Sequence, residues 1–481
     1  MDKLTSFFTE LMRKYLPDPF VFAIVLTWLT LILAIVFEHQ NPITLTTAWG
    51  KGFWSLLAFG MQMTVILAMG AVLATTPQVD RLLNWLVRKV HTPRMAIIVA
   101  TLVGGIGSYL NWGFGLIIGG VVARKLAMGV KGVHYPLIIA SAYSGFCLYG
   151  LGLSATIPLT ISTAGHPLEK QVGIVPLAET IFSPWMLGTA LVVLIILPLL
   201  NASMHPKDPL RIVEINREQH MQKDATTVTE SAGGKGNNSK VRGASLAVMQ
   251  KDATTATDIP ATDIPATDIA DRTIGARMNN SKILGVSIAL LGMLYVVLYL
   301  MDQGQMDLNI INFFILFLGL LLLRTPAAYV KKLNENIHTV SGIVLQFPFY
   351  AGIMALMAAS GLVASIAHGF FAVSNAQTLG VWGLLSSFVI NFFAPSAGGH
   401  WVIQGPFMAQ SAVALHAPMG QMAMSVQLGN SWNDLIQPFW ILPALALSKL
   451  KLKDIMGYTV VDMIVVGVVY IGVSVLWGQF A

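Results

Sequence analysis

Charge is scarce in this chain. Of 481 residues only 11% are Asp, Glu, Lys or Arg, where ordinary soluble domains carry about 25%. With 55% hydrophobic residues and a mean hydropathy of +0.68, this excludes a soluble globular protein. Cysteine is nearly absent. Cys147 stands alone, so no disulfide forms within the chain and no thiolate metal site can be built. Enzyme signatures are missing too: there is no Gly-x-Ser-x-Gly elbow, Walker loop or His-Glu-x-x-His run. No basic run interleaves with aromatics in a polar module, so the net charge of +6 does not point to nucleic acid. Without a nucleotide site, an ion gradient is the simpler source of drive for any transport.

What the chain has is apolar stretches of about 20 residues, enough to cross a hydrocarbon core of roughly 30 Å. Lys and Arg cluster in the short loops between them, the pattern that sets orientation. Residues 20–37 run outward. They read as a retained helix, because Glu38-His39-Gln40-Asn41-Pro42 follows in place of small cleavage-site residues. Residues 53–76 return, and the cationic segment from Arg81 to Arg94 reads as an amphipathic surface helix. Residues 95–123 have Arg94 before them and Arg124, Lys125 and Lys131 after, so both ends are cytoplasmic. A re-entrant hairpin satisfies this, with its turn near residues 111–113. Residues 135–159 cross outward, interrupted at Ser144-Gly145 and at 150–154, and residues 185–200 return.

Residues 201–282 are polar, and Met-Gln-Lys-Asp-Ala-Thr-Thr occurs at 221–227 and again at 249–255. Such a tract cannot bury enough apolar surface to offset its ordering entropy, so a disordered cytoplasmic linker is expected. Residues 283–301 add one crossing, and 308–323 and 340–366 follow. Residues 381–415 lie between loops without Lys or Arg. They are expected to form a second hairpin from the opposite face, turning near 395–400. Residues 422–447 cross inward with a break at 429–434, and 460–477 end the chain outside.

Each half therefore reads helix, helix, hairpin, broken helix, helix. The expected fold is an all-α polytopic membrane protein with an inverted-topology repeat, two re-entrant hairpins and two broken helices. Residues 1–200 form the first repeat with hairpin 95–123, 283–301 a linking transmembrane helix, and 302–481 the second, inverted repeat with hairpin 381–415. Asn391 echoes Asn111. Paired interruptions of this kind belong to secondary transporters more than to channels or membrane enzymes.

A broken helix leaves N–H groups free at one half and C=O groups free at the other. The N-terminal ends favour anions and the C-terminal ends cations, by roughly 0.3–1 kcal/mol each and up to ~2 when partly buried. Candidate substrate and ion contacts are Asn111, Trp112 and Gly113 at the first hairpin, and Ser144, Gly145 and Ser154 in the first broken span. The second half supplies Ser396, Gly398, Gly399 and His400 at its hairpin, then Asn430, Ser431, Asn433 and Asp434. No Arg or Lys is among them. A dicarboxylate or phosphate would be matched by a bidentate Arg, so a single negative charge is favoured. Trp112, Phe114, Trp401 and Trp432 either meet an apolar tail or pack. Asp434 either ligates Na⁺ or carries a proton, or is a structural carboxylate, and His400 either titrates near neutrality or is a structural imidazole. Asp462 reads as an interfacial charge, and Tyr143 and Tyr350 as packing residues. No metal site and no cofactor are expected beyond Na⁺ as a coupling ion.

Several runs carry a family resemblance: Phe59-Gly60-Met61-Gln62-Met63, Asn111-Trp112-Gly113-Phe114-Gly115, Gln346-Phe347-Pro348-Phe349-Tyr350-Ala351-Gly352, and Gly398-Gly399-His400-Trp401-Val402-Ile403-Gln404-Gly405-Pro406-Phe407. Pro17-Asp18-Pro19 and Gln437-Pro438-Phe439-Trp440 add to them. The chain resembles the bacterial short-chain fatty acid transporter family over nearly all its length outside the linker. The resemblance implies uptake of small monocarboxylates such as acetoacetate or butyrate at the bacterial inner membrane. It implies coupling to H⁺ or Na⁺ by alternating access in a lipid-embedded homodimer, with Asn111 and Ser396 as tip residues that meet Na⁺ and the substrate carboxylate. A dicarboxylate or peptide-like acid carrier, or a re-entrant-loop channel, stay open as alternatives; an enzyme is not expected.

Overall fold

Helices in this chain repeatedly start with a polar cap followed by proline. Proline lacks the N–H that the first helical position does not need. Asn41, Thr92, Ser183 and Thr325 each precede such a proline, and their side chains accept from the amides of Ile43, Met95, Met186 and Ala328. The computed structural model describes residues 19–215, 273–303, 306–392, 394–437, 440–441, 444–445 and 448–480.

The first half holds α1 (Pro19–Val36), α2 (Pro42–Gly52), α3 (Leu57–Ala74) and α4 (Pro77–Arg88). The hairpin arms α5 (Pro93–Leu110) and α6 (Trp112–Gly129) follow. Next comes a broken span: α7 (Tyr135–Ser144), a 3₁₀ segment (Gly145–Leu151) and α8 (Thr156–Ile161). The half ends with α9 (Pro184–Ser203). After α10 (Lys282–Gln303) the same order returns. It runs α11 (Leu308–Leu323), α12 (Pro326–Asn336), α13 (Ser341–Ser360), α14 (Leu362–Val373), hairpin arms α15 (Leu379–Ile390) and α16 (Ala397–Leu415), broken span α17 (Met419–Asn433), and α18 (Leu452–Phe480). No strand occurs among the described residues. Eight of the described helices are long and apolar enough to cross a membrane.

The two halves pack reciprocally. α1 and α2 lie on α13, while α11 and α12 lie on α3. Rings of Phe20 and Phe349 meet edge to face at 5.2 Å on one side. On the other, Gln62 donates to Asn309 at 2.7 Å and Asn312 donates to the Gln62 carbonyl at 3.0 Å. Such an exchange of first and third helices is what a pseudo-two-fold repeat requires.

Several expected boundaries move. Residues 53–76 are not one helix, since α3 begins only at Leu57 after a turn. The span at 340–366 breaks at Gly361, whose φ of 91° ends α13. The linker was expected from 201 on, yet Met1–Glu214 and Ser281–Ala481 form one compact unit. Asn201 is buried and donates to Thr101 at 3.2 Å and Ser144 at 3.0 Å. Glu214 accepts from the Gly132 amide at 2.6 Å. Asn201 Nδ2 is thus satisfied inside the protein, whereas Glu214 ties an exposed segment back to the loop after α6. In the second unit, residues 215–280, the described part includes a short helix, Ile274–Asn279, capped by Thr273. The duplicated tract lies outside the described residues.

Candidate functional site

The first hairpin turns on one residue. Asn111 is extended between α5 and α6, and its Oδ1 accepts from the Phe114 amide at 2.8 Å, capping α6. The arms then close face to face. A methyl group on Gly115 would sit 2.1 Å from the Ser108 nitrogen, so only glycine permits this approach. Each arm has 18 residues, or about 27 Å at 1.5 Å per residue. The tip meets the first broken span. The Trp112 amide donates to Ser154 Oγ at 2.8 Å, and the Leu153 amide donates to the Tyr109 carbonyl at 2.7 Å. Part of the backbone freed by the break is thus satisfied by the hairpin.

The second hairpin breaks earlier than expected. α15 ends at Ile390 and α16 begins at Ala397, so the turn is 391–396 and Gly398, Gly399 and His400 are helical. These glycines admit neighbours instead of bending the chain: a Cβ on Gly399 would lie 2.3 Å from the Tyr350 ring. The second broken span shifts likewise. Residues 429–433 continue α17, and the helix stops at Asp434.

A buried polar junction joins the two broken spans. Asp434 Oδ2 accepts from the Tyr149 hydroxyl at 2.8 Å, and Oδ1 from Asn391 Nδ2 at 2.7 Å. Tyr143 donates to the Asp434 carbonyl, and Tyr149 also reaches Asn430 Oδ1 at 2.5 Å. Asn430 donates to Asn391, Asn433 donates to the Phe388 carbonyl at 2.9 Å, and Gln437 donates to the Asn391 carbonyl at 3.0 Å. Tyr143 is therefore not a mere packing residue. Tyr149, Asn391 and Gln437 are junction residues that sequence reasoning did not place in the site. The echo between Asn111 and Asn391 was the one available signal.

Between the hairpin tips lies a cavity of about 20 Å³, lined by Trp112, Phe146, Tyr149, Ser396, Gly398 and Trp440 among others. That volume admits roughly one water. Its lining is mainly apolar, with Trp112 in the wall and Asn111 at the adjoining turn. Asn111 Nδ2 and Trp112 Nε1 are buried without an acceptor among the described residues. The first-turn amides of α16 have no intrahelical acceptor, and Ser396 leaves them without a side-chain cap. No Lys or Arg lines the cavity.

The remaining candidates lie elsewhere. His400 is fully enclosed, with Nε2 against Gln404 Oε1 and 3.1 Å from Ser387 Oγ. A Cβ on Gly145 would meet the Gly105 nitrogen at 2.4 Å, and one on Gly150 would meet Ser431 Oγ at 2.4 Å. Gly113 faces Leu67. Trp401 is enclosed in the core, and Trp432 donates to the Met463 carbonyl at 2.7 Å. Asp462, expected at an interface, is completely buried on α18, which begins well before it at Leu452.

Comparison with known proteins agrees with this architecture. The family described as "Short chain fatty acid transporter" matches residues 1–477. A protein of Escherichia coli K12 is 36% identical over 98% of both chains, and one of Haemophilus influenzae is 33% identical over 98% of both. Their names assign them provisionally to short-chain fatty acid transport. The YdaH transporter of Alcanivorax borkumensis shares the fold with a TM-score of 0.54 at 14% identity, covering 96% of this chain and 99% of that one. The chain, a multi-pass protein of the bacterial inner membrane, belongs to the short-chain fatty acid transporter family.

Proposed function

We propose that the protein is a secondary active transporter of small monocarboxylates such as butyrate or acetoacetate, driven by a cation gradient. The observation that carries this reading is the apolar cavity between the two hairpin tips, lined by no Lys or Arg, with buried unpartnered N–H groups on Trp112 in its wall and on Asn111 beside it. Helix N-termini and neutral donors suit one carboxylate. Phe146, Met63, Ile343 and Trp440 offer surface for a short alkyl tail. A second carboxylate would find no Arg or Lys there.

Asn111, Trp112, Ser396 and the α16 amides are the substrate contacts in this reading, with Gly113, Gly398 and Gly399 framing them. At about 20 Å³ the cavity is too small for a four-carbon acid. Binding thus requires the tips to part, which makes opening toward one face or the other part of the cycle. The two hairpins enter from opposite faces and stop short of the far side, and residues 1–200 and 302–481 are the repeats that move against one another. The Asp434 junction is the fulcrum, because Tyr149 belongs both to it and to the cavity wall.

Reconstituted protein tests this. Uptake of labelled butyrate should saturate, and unlabelled butyrate inside the vesicles should accelerate it by counterflow. Flux that rises linearly with concentration and shows no counterflow would indicate a channel.

A further inference from the structure

A second buried carboxyl lies outside both the cavity and the Asp434 junction. Asp462 is completely enclosed on α18, and neither carboxylate oxygen has a hydrogen-bond partner among the described residues. None of the ion pairs Lys125–Asp80, Arg211–Asp208 and Lys332–Glu335 involves it. Its polar neighbour is Ser144 at the end of α7. That hydroxyl gives its proton to the Ser141 carbonyl at 3.0 Å and accepts from Asn201 Nδ2 at 3.0 Å. With its hydroxyl engaged this way, Ser144 is left to face Asp462 as an acceptor.

An ionised carboxylate in such a place costs several kcal/mol without a counter-charge or donors. A neutral carboxylic acid needs only an acceptor, and Ser144 is one. Asp434 is the reverse case, since its two oxygens take donors at 2.8 and 2.7 Å. Pairs of acids set in opposed surroundings divide into different charge roles. The titratable groups near Asp462 are Cys147 on the 3₁₀ segment and, beyond it, Tyr470 and Asp434. None brings positive charge. A hard metal cation would need a shell of oxygens, and Ser144 alone does not supply one.

We infer that Asp462 is the proton-carrying group of the transport cycle, protonated in this conformation and emptied when α7 and α18 separate. The proton passes to water on one side of the membrane. The carboxylate left behind is solvated by the water that enters between the two helices, until a proton from the other side restores the acid and the helices close again. This rests on the transport reading and deepens it by assigning H⁺ as the coupling ion and Asp462 as its carrier.

The test compares parent and Asp462→Asn in proteoliposomes loaded with butyrate. Asn mimics the neutral acid, so accumulation driven by a pH gradient should vanish while butyrate–butyrate counterflow persists. Accumulation by Asp462→Asn on a pH gradient overturns the inference, as does parent accumulation that follows Na⁺ and ignores pH. Absence of saturable counterflow in the parent instead removes the transport reading. Infrared spectroscopy of the solubilised protein at neutral pH gives an answer independent of transport. The parent should show a protonated-carboxyl C=O band that Ser144→Ala shifts in frequency and Asp462→Asn removes. A spectrum unchanged by both substitutions contradicts the assignment even where Asp462→Asn loses all transport.

Discussion

The Tyr149 hydroxyl donates to the Asp434 carboxylate at 2.8 Å, across 285 residues of sequence. It ties the 3₁₀ break of the first half to the helix end of the second, and Asn391 completes the link from the second hairpin. Removing one partner of a buried hydrogen bond to a charged group costs about 1–3 kcal/mol. Tyr149→Phe and Asp434→Asn should each lower the unfolding temperature in detergent. As fulcrum mutants they should depress accumulation and counterflow together, in contrast to Asp462→Asn. An Asp434→Asn protein with parental unfolding and parental exchange would remove the junction from the mechanism.

Gly115→Ala should disrupt the first hairpin. The added methyl would overlap the Ser108 backbone, which cannot step aside as a flexible side chain can. Overpacking of this kind costs about 1–3 kcal/mol or more. Gly188→Ala, which has nothing within 4 Å, is the matched control. The fraction of monodisperse protein after mild heating reports the difference, and equal behaviour of the two variants would mean the arms are not closed in the membrane.

Asn111→Ala and Trp112→Phe each delete an unspent donor at the tip. If those donors meet a carboxylate, each loss should weaken butyrate binding by about 1.5–3 kcal/mol, or roughly tenfold to a hundredfold. Half-saturation of counterflow measures it. An unchanged half-saturation in both would place the anion elsewhere.

Outside the membrane span, His134 holds the segment after α9 against the start of α7. Its Nδ1 accepts from the Val213 amide at 3.0 Å, and its Nε2 lies 3.0 Å from the Tyr458 hydroxyl. Burial, and then the charge of His205, push His134 below its ordinary value. The folded protein therefore binds this proton less readily than the unfolded chain. The latch keeps its full strength above the unfolded value of about 6.5 and loses stability as pH falls below it. Protection of the Val213 amide, relative to the exchange rate of an unstructured amide at the same pH, should fall on acidification in the parent. In His134→Gln that acid-induced loss of protection should be absent.

Much of this arrangement was legible in residue order, and the failures share one cause. Asn111 marked the first hairpin correctly, because a lone polar residue beside a tryptophan in an apolar run has no other cheap explanation. Gly398, Gly399 and Gly429 misled, since glycine serves close packing as readily as chain reversal. A Cβ on Gly429 would meet the Leu384 carbonyl at 2.2 Å, and the real break waits until Asp434. Tyr143 looked like a core aromatic and Tyr149 did not stand out, because their hydroxyl partners lie far away in sequence. Asp462 looked interfacial from its distance to Lys449, Lys451 and Lys453, yet α18 buries the face that carries it.

The central claim is that one carboxylate binds between the two hairpin tips. Ser396→Cys tests it directly, because Ser396 is half-buried on the cavity wall whereas the native Cys147 is wholly enclosed. Butyrate should slow alkylation of the new thiol by a small reagent, with a concentration dependence matching that of uptake. Alkylation at the same rate with and without saturating butyrate, in vesicles that still transport it, would contradict the account.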